Sequence, residues 1–356
     1  MLKEVLEELG PRIDQALSRF LQAEAERAGG LSDFHGKYYG DLREFLLRGG
    51  KRLRPIALVV AYEGVGGEEV EAAIEASISV ELLHNSSLIH DDIVDRDELR
   101  RGGKTVHAMY RDWFKAIKGG SGDAEHFGLT VGLLAGDSLF NMGFKALSQA
   151  KFNGEVKVKA LKLYVEAYEQ LIDGMLMDIY LPMMREPTVE DYLTMIKLKT
   201  GALFEKSLAI GSTLARATPS QIAMLSQYGI LAAQGFQIRD DILGLYGREE
   251  VVGKPVGSDI REGKMTILVI KALQQASPKD RDKLRRVLGK RDLSTEDVEE
   301  ARGIIKDAGA LEYAERLASE LINEAKRKIR MVDPPLTERA VSFFEELADF
   351  FIHRSY

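Results

Sequence analysis

Cysteine is absent from this chain of 356 residues. Disulfides, thiol nucleophiles and zinc–thiolate centres are excluded with it. The six histidines are scattered, without the His-Glu-x-x-His spacing of a zinc hydrolase. Proline is scarce, at nine residues, and no linker is long enough to divide the chain. No apolar run reaches the roughly 18 residues that a membrane-spanning helix needs. The segment Met1–Gly10 is acidic and amphipathic, unlike a signal peptide. A net charge of −7 does not suggest a nucleic-acid partner, and the basic stretch Arg281–Arg291 reads as a solvated helix surface. A soluble, cytoplasmic protein is expected, with a visit to a membrane surface left open.

What the chain has instead is helical periodicity. Leu2, Val5, Leu6, Leu9 and Ile13 make one stripe, and Val70, Ala73, Ile74, Ser77, Ile78 and Glu81 begin another. Glycine-bearing breaks punctuate the pattern at Gly29-Gly30, Gly49-Gly50, Gly102-Gly103 and Gly119-Gly120-Ser121-Gly122. Ser294 to Asp297 reads as a capping box opening a helix that closes near Gly309. Pro334-Pro335 and Thr337 introduce a last amphipathic helix carrying Val341, Phe344, Leu347 and Phe351. Alternating strand patterns with hairpin turns are nearly absent. With 45% hydrophobic residues a substantial core is available, and the chain reads as one all-α domain over residues 1–356.

Two acidic runs interrupt this apolar background. The first is Asp91-Asp92-Ile93-Val94-Asp95, followed by Arg100-Arg101-Gly102; the second is Asp240-Asp241-Ile242-Leu243-Gly244, followed by Lys254 and Lys264. On a helix, Asp91 and Asp95 share a face with Asp92 beside them. Like charges so spaced destabilise a helix by about 0.2–0.5 kcal/mol per pair, and burial adds more. A bound cation reverses that cost. Mg²⁺ suits the pattern, since it takes hard oxygen ligands and binds through one or two carboxylates together with substrate phosphates. A solvated acidic face is the plain alternative. A calcium loop through Asp91, Asp95 and Asp97 is another, but its turn glycine is missing and Ser86–His90 reads as helix. Two acidic runs with matched basic companions favour polyphosphate on metal.

The basic and polar companions each admit two readings. Gly49-Gly50-Lys51-Arg52-Leu53-Arg54-Pro55 lets the backbone approach a ligand, with Lys51 as a point charge and Arg54 as a two-pronged fork. A solvated basic turn is the alternative, and the pattern is not a Walker A loop. His84 lies two helical turns before Asp91 on the same face, placed to donate to a phosphate or to sit as a satisfied core histidine. Arg100 and Arg101 point to different sides and can serve two anions, or form a cation pair near a helix C-terminus. Lys199, followed by Thr200 and Gly201, lies in a helix with apolar neighbours, where a lysine needs an anionic partner or loses its charge. Gln237 is a polar group just before the second acidic run, on a helix that otherwise looks buried. Gly253-Lys254-Pro255-Val256-Gly257-Ser258-Asp259 and Glu262-Gly263-Lys264 read as a structured loop that returns positive charge to that run.

Taken in order from about Gly49 to Lys264, these elements resemble the trans-isoprenyl (polyprenyl) diphosphate synthases, which include the farnesyl and geranylgeranyl diphosphate synthases. The resemblance implies an all-α isoprenoid synthase fold, with helices around a deep central cavity and acidic runs facing each other across its mouth. It also implies a homodimer and about three Mg²⁺ ions. By the same resemblance, Asp91 and Asp95 look like ligands of two ions with Asp92 in support, and Asp240 like the ligand of a third with Asp241 nearby. Arg100, Lys199, Thr200, Gln237 and Lys254 look like contacts to the allylic substrate or its diphosphate, and Lys264 joins the substrate-binding set. Lys51, Arg54, His84 and Arg101 look like the isopentenyl diphosphate site.

The reaction so implied is head-to-tail prenyl transfer, with Asp91, Asp95, Arg100, Lys199, Asp240 and Lys254 carrying the departure of the allylic diphosphate. Three positions depart from the family pattern. Gly244 stands where the second run ends in Asp, Met175 follows Gly174 where Gln is usual (Asp178 is retained), and Lys104 replaces a proline before Thr105. These departures keep open a weakly active or non-catalytic partner subunit. A terpene cyclase binds one diphosphate, so the Lys51/Arg54 set speaks against it. Ser86 and Ser87 lie five and four positions before Asp91, where aromatic residues stop chain growth in the family. Both are small, so a product of geranylgeranyl length or longer is expected, with Leu83 as a candidate floor. Ser86→Phe is expected to shorten the product.

Overall fold

The structure, a computed structural model, describes residues 1–119, 122–247, 257–290 and 292–353. The expected all-α class is what is found. The contacts group the chain into two compact units, one of Met1–Val165 with Ser207–Ala217 and one of Glu166–Lys206 with Thr218–Tyr356. Both crossings at 165–166 and 206–207 fall inside helices. No shift in composition marks them, which is why the sequence reads as undivided.

In the first unit, α1 (Leu2–Gly29) buries Val5, Leu9 and Ile13 of the predicted stripe, with Leu2 and Leu6 half-buried, and burial continues along the same period at Leu17 and Leu21. It packs on α2 (Asp33–Leu47), α3 (Leu53–Val65) and α4 (Val70–Asp95). α4 is buried on almost every side through its middle, as a helix apolar all round must be. Past α4 come two two-residue strands, β1 (Leu99–Arg100) and β2 (Gly103–Lys104), paired antiparallel. The sequence gives this hairpin little length to signal itself. Its turn residues Arg101 and Gly102 both have positive φ, 50° and 73°, as a type I′ turn requires. Then follow α5 (Val106–Lys118) and α6 (Ala124–Gln149). α6 lies close along α4 because it presents glycines there: a Cβ on Gly136 would stand 2.0 Å from His90 Nε2, and one on Gly143 2.8 Å from the Ser79 carbonyl.

α7 (Gly154–Tyr180) and α9 (Ala202–Leu214) contribute to both units. In the second unit, α8 (Val189–Ile196) opens with a Thr188/Asp191 capping box and runs into a π-helical turn, Lys197–Gly201. α10 (Pro219–Tyr246) opens with a Thr218/Gln221 box. α11 (Ser258–Glu262), α12 (Ile267–Gln275), α13 (Pro278–Val287), α14 (Thr295–Asp307), α15 (Ala310–Arg330) and α16 (Glu338–Ile352) complete it. Tyr192, Ile238, Ile242, Leu268, Ile270 and Ala314 sit in its core. The predicted Ser294/Asp297 box opens α14, and Thr337 caps α16, which buries Phe344, Leu347 and Phe351.

Candidate active site

The first acidic run forms the last turn of α4, where the helix dipole already presents its negative end. Asp91 and Asp95 are half-buried, and Asp92 is only 1% exposed. Asp92 Oδ1 accepts from Arg100 Nε at 2.5 Å, while its Oδ2 is buried without a hydrogen-bond partner. Burial pushes this carboxyl up to about 7 against the pull of Arg100. Arg101, one residue on, turns the other way and donates to the Gly49 carbonyl at 2.9 Å. The two arginines therefore do face different partners, and they do so from a hairpin rather than from a helix end. Gly50 has φ +129°, a conformation that glycine adopts without strain, and it lies against the Arg101 guanidinium.

Beside this turn stands a cationic cluster. Arg54 Nη1 lies 3.3 Å from His84 Nε2. A guanidinium can only donate, so Nε2 accepts and the neutral ring carries its proton on Nδ1. Burial, then the charges of Arg54, Arg101, Arg100 and Arg52, hold His84 well below its usual value. Burial likewise lowers Arg54 to about 10, with Arg101 adding to the effect and Glu81 opposing it. Arg54 Nε is buried without a partner. Lys51 is exposed. Cations whose charge is disfavoured where they stand are suited to receive a polyanion.

In the second unit, Lys199 Nζ pairs with Asp178 at 2.7 Å, the anionic partner its apolar neighbours called for. Lys199 and Thr200 lie on a helix as expected, at a π-helical turn, a geometry frequent at functional sites. Thr200 Oγ1 donates to Gln237 Oε1 at 2.8 Å, Gln237 Nε2 donates to Asp241 Oδ1 at 2.9 Å, and Tyr192 donates to Asp241 Oδ2 at 2.7 Å. Asp241 is thus buried with both oxygens engaged, whereas Asp240 is exposed. Burial and then Asp259 drive the Asp241 carboxyl well above its usual value. Lys264 pairs with Glu262 at 2.7 Å. Lys254 lies outside the described residues.

Three residues here escaped sequence reasoning. Tyr192 lies 49 positions from Asp241, and nothing local announces the contact. Arg52 is buried and bonded inward, although it reads as one more cation of its turn. Glu81 gave a signal, being the one charge in an apolar stripe, and it accepts from Arg52. Among the described residues, no three carboxylate or imidazole groups converge into a ready-made metal cage.

The polyprenyl synthetase profile matches residues 37–305. A geranylgeranyl diphosphate synthase from Saccharolobus solfataricus is 38% identical over 308 residues, 86% of this chain and 87% of its own. The chain belongs to the polyprenyl synthetase family. A geranylfarnesyl diphosphate synthase from Aeropyrum pernix is 35% identical over 347 residues, 96% of this chain and 99% of its own. The crystal structure of a geranylgeranyl pyrophosphate synthase from Corynebacterium glutamicum, complexed with isoprenyl diphosphate and magnesium, is similar at TM-score 0.91 and 30% identity over 100% of both chains. Membership makes the protein a trans-prenyltransferase, as its motifs implied.

Against the family pattern, Gly244 faces a carboxylate: a Cβ there would meet Asp259 Oδ2 at 3.3 Å. An acid at 244 would thus crowd Asp259, and glycine avoids that repulsion. Lys104 pairs with Asp112 at 2.6 Å on an exposed surface. Met175 is half-buried on α7, and nothing in the structure explains the change from Gln. Of the chain-length candidates, Leu83 is fully buried, and Ser86 is turned into the helix pair, donating to the Gly136 carbonyl of α6 at 2.8 Å. Ser87 is half-buried, its hydroxyl returned to the His84 carbonyl.

Proposed function

We propose that the protein condenses isopentenyl diphosphate head to tail with an allylic diphosphate, giving a polyprenyl diphosphate of geranylgeranyl length or longer. The observation that carries this reading is the pairing, on α4 and its neighbours, of a carboxylate face at Asp91 and Asp95 with a separate cluster of Lys51, Arg54, His84 and Arg101. Two anionic substrates need two cation-bearing sites, one built with metal and one without.

The residues fit Mg²⁺. Asp92 Oδ2 is a buried oxygen without a partner, and the donors are hard carboxylates at a helix C-terminus. In this reading Asp91 and Asp95 would hold two ions, oriented by Asp92, and Asp240 would hold a third, with Asp241 bonded behind it. Bound there, Mg²⁺ neutralises the leaving diphosphate. Arg100, Lys199 and Lys254 bind the same oxygens, with Lys264 in reserve. Lys51, Arg54, His84 and Arg101 hold isopentenyl diphosphate so that its double bond faces C1 of the allylic substrate. The C1–O bond breaks, the double bond attacks C1, and the proton lost from the new chain goes to the released diphosphate. Thr200 and Gln237 turn oxygen dipoles toward the developing cation.

No helix among the described residues is long and apolar enough to cross a membrane, and a cytoplasmic setting is proposed with the function. A homodimer is proposed as well. Leu129, Leu133, Leu134 and Phe144 are exposed on α6, an apolar face of the sort that a second copy covers. The whole chain is proposed to work as a single prenyl synthase domain.

The deciding experiment assays the purified chain alone with Mg²⁺, isopentenyl diphosphate and allylic primers of increasing length. Prenyl transfer is expected. Asp91→Ala and Asp240→Ala should fold and lose most turnover; unchanged turnover would refute the metal assignment. A silent wild-type chain that activates a second synthase would establish the partner-subunit alternative.

A further inference from the structure

Arg52 differs from every other cation of its turn. It is 4% exposed and starts α3 in the left-handed region, at φ 50° and ψ 33°. Left-handed backbone at a non-glycine residue is uncommon and needs support from its surroundings. The support comes from three elements. Nε donates to Asp14 of α1 at 2.7 Å, Nη1 to Glu81 of α4 at 2.7 Å, and Nη2 to the Leu46 carbonyl of α2 at 2.7 Å. Glu81 is itself held: Asn85 Nδ2 donates to its Oε1 at 3.0 Å and to its carbonyl at 2.8 Å. Burial works against the Arg52 charge, but Glu81 and Asp14 outweigh it and hold the guanidinium above its usual range.

The consequence lies in the neighbours. Lys51 and Arg54 flank Arg52, and Arg54 meets His84, three residues beyond Glu81 on α4. We propose that Arg52 is a positioning residue, and that its clamp by Asp14, Glu81 and the Leu46 carbonyl sets the turn from which Lys51 and Arg54 engage the isopentenyl diphosphate. The inference rests on the substrate reading above and deepens it. It ties α1, which carries none of the family's motifs, to the geometry of the homoallylic site. Lysine cannot replace Arg52, because an ammonium is one point charge and the clamp uses three fixed directions. Asp14 is the accessible end of the brace, its side chain 47% exposed, so it can be cut without opening the core.

The test is steady-state kinetics on full-length Arg52→Lys and Asp14→Ala, with folding checked by circular dichroism and thermal unfolding. Arg52→Lys is expected to raise KM for isopentenyl diphosphate about ten-fold, with the allylic KM and kcat changed by less than about three-fold. Asp14→Ala should move the same constant in the same direction by about three-fold, and the double variant should show less than the product of the two, since both cut one clamp. Calorimetric titration of the metal-free protein with inorganic diphosphate should weaken in parallel. An unchanged isopentenyl diphosphate KM in folded variants overturns the proposal. So does a proportionate change in both KM values and kcat, which a merely structural role would give. If Arg52→Lys fails to fold, Asp14→Ala decides alone. If the wild-type chain does not turn over, the substrate reading fails, and the diphosphate titration still judges the clamp.

Discussion

Tyr192 and Asp241, on α8 and α10, meet by one hydrogen bond of 2.7 Å in the core of the second unit. The carboxylate accepts there and from Gln237 on its other oxygen. Gln237 turns its NH2 toward Asp241 and its carbonyl toward Thr200. The hydroxyl of Thr200 is thereby spent on Gln237, leaving oxygen lone pairs on both groups. One buried tyrosine thus anchors a chain of hydrogen bonds that ends on two groups proposed to face the allylic cation. Tyr192→Phe should leave Asp241 Oδ2 buried and unbonded, at a cost of about 1–3 kcal/mol. It should be read as a lower urea midpoint at unchanged slope, accompanied by a fall in kcat. A variant with wild-type midpoint and kcat removes the relay from consideration.

His84 gives a pH dependence whose sign can be worked out. Its folded value lies well below the ordinary 6.5 of the unfolded chain. Below about pH 6.5 the unfolded state therefore binds a proton that the folded state refuses, and stability falls as pH falls. Above that pH the contribution vanishes. The slope is at most about 1.4 kcal/mol per pH unit. Urea unfolding at pH 7.5 and 5.5 should show a larger loss for the wild type than for His84→Gln, which cannot titrate. Equal losses in the two proteins would mean that His84 is readily protonated in the fold.

What the sequence made legible was whatever is carried by short spacing. The acidic runs, the Ser294/Asp297 box and the stripes of α1 and α4 are relations between residues a few positions apart. The box caps its helix and the stripe of α1 is largely buried, while the stripe read on α4 belongs to a helix buried almost all round. Contacts across long separations were hidden. Lys51, Arg52 and Arg54 are alike as letters, and only the fold shows that the middle one turns inward to Glu81, 29 positions away. The hairpin at Arg100–Gly103 was too short for an alternating pattern, and the π-helical turn at Lys197–Gly201 has no signature distinct from an α-helix.

Product length is where the geometry refines the expectation. Ser86 spends its hydroxyl on α6, so a phenyl ring at that position must first force α4 and α6 apart. Overpacking of this kind costs about 1–3 kcal/mol. Ser87 is half-buried and bonded only to its own helix, so Ser87→Phe can add bulk along α4 below Asp91 with less disturbance. Ser87→Phe is expected to shorten the product while keeping the wild-type melting temperature. Ser86→Phe should lower that temperature whether or not its product is shorter. Mass spectrometry of the products with thermal unfolding of both variants separates the two effects. An unaltered product from folded Ser87→Phe would move the tail to another face of α4.

Gly174 sets how near α7 comes to the π-helical turn. A Cβ on it would stand 2.2 Å from the backbone nitrogen of Lys199 and 2.6 Å from its Cα. Neither atom is the end of a flexible chain, so Gly174→Ala has to push the turn away from α7. One helical turn on, Asp178 holds Lys199 Nζ at 2.7 Å, and that pair lengthens when the turn moves. The substitution would otherwise favour α7, since alanine is the better helix former by about 1 kcal/mol. Displacement of Lys199 and Thr200 should prevail over that gain in function, because both are proposed to act on the allylic diphosphate. Gly174→Ala is therefore expected to raise the allylic KM and lower kcat by about ten-fold or more, while KM for isopentenyl diphosphate stays near wild type. Wild-type kinetics in this variant would show that the close approach of α7 does not hold the lysine in its working position.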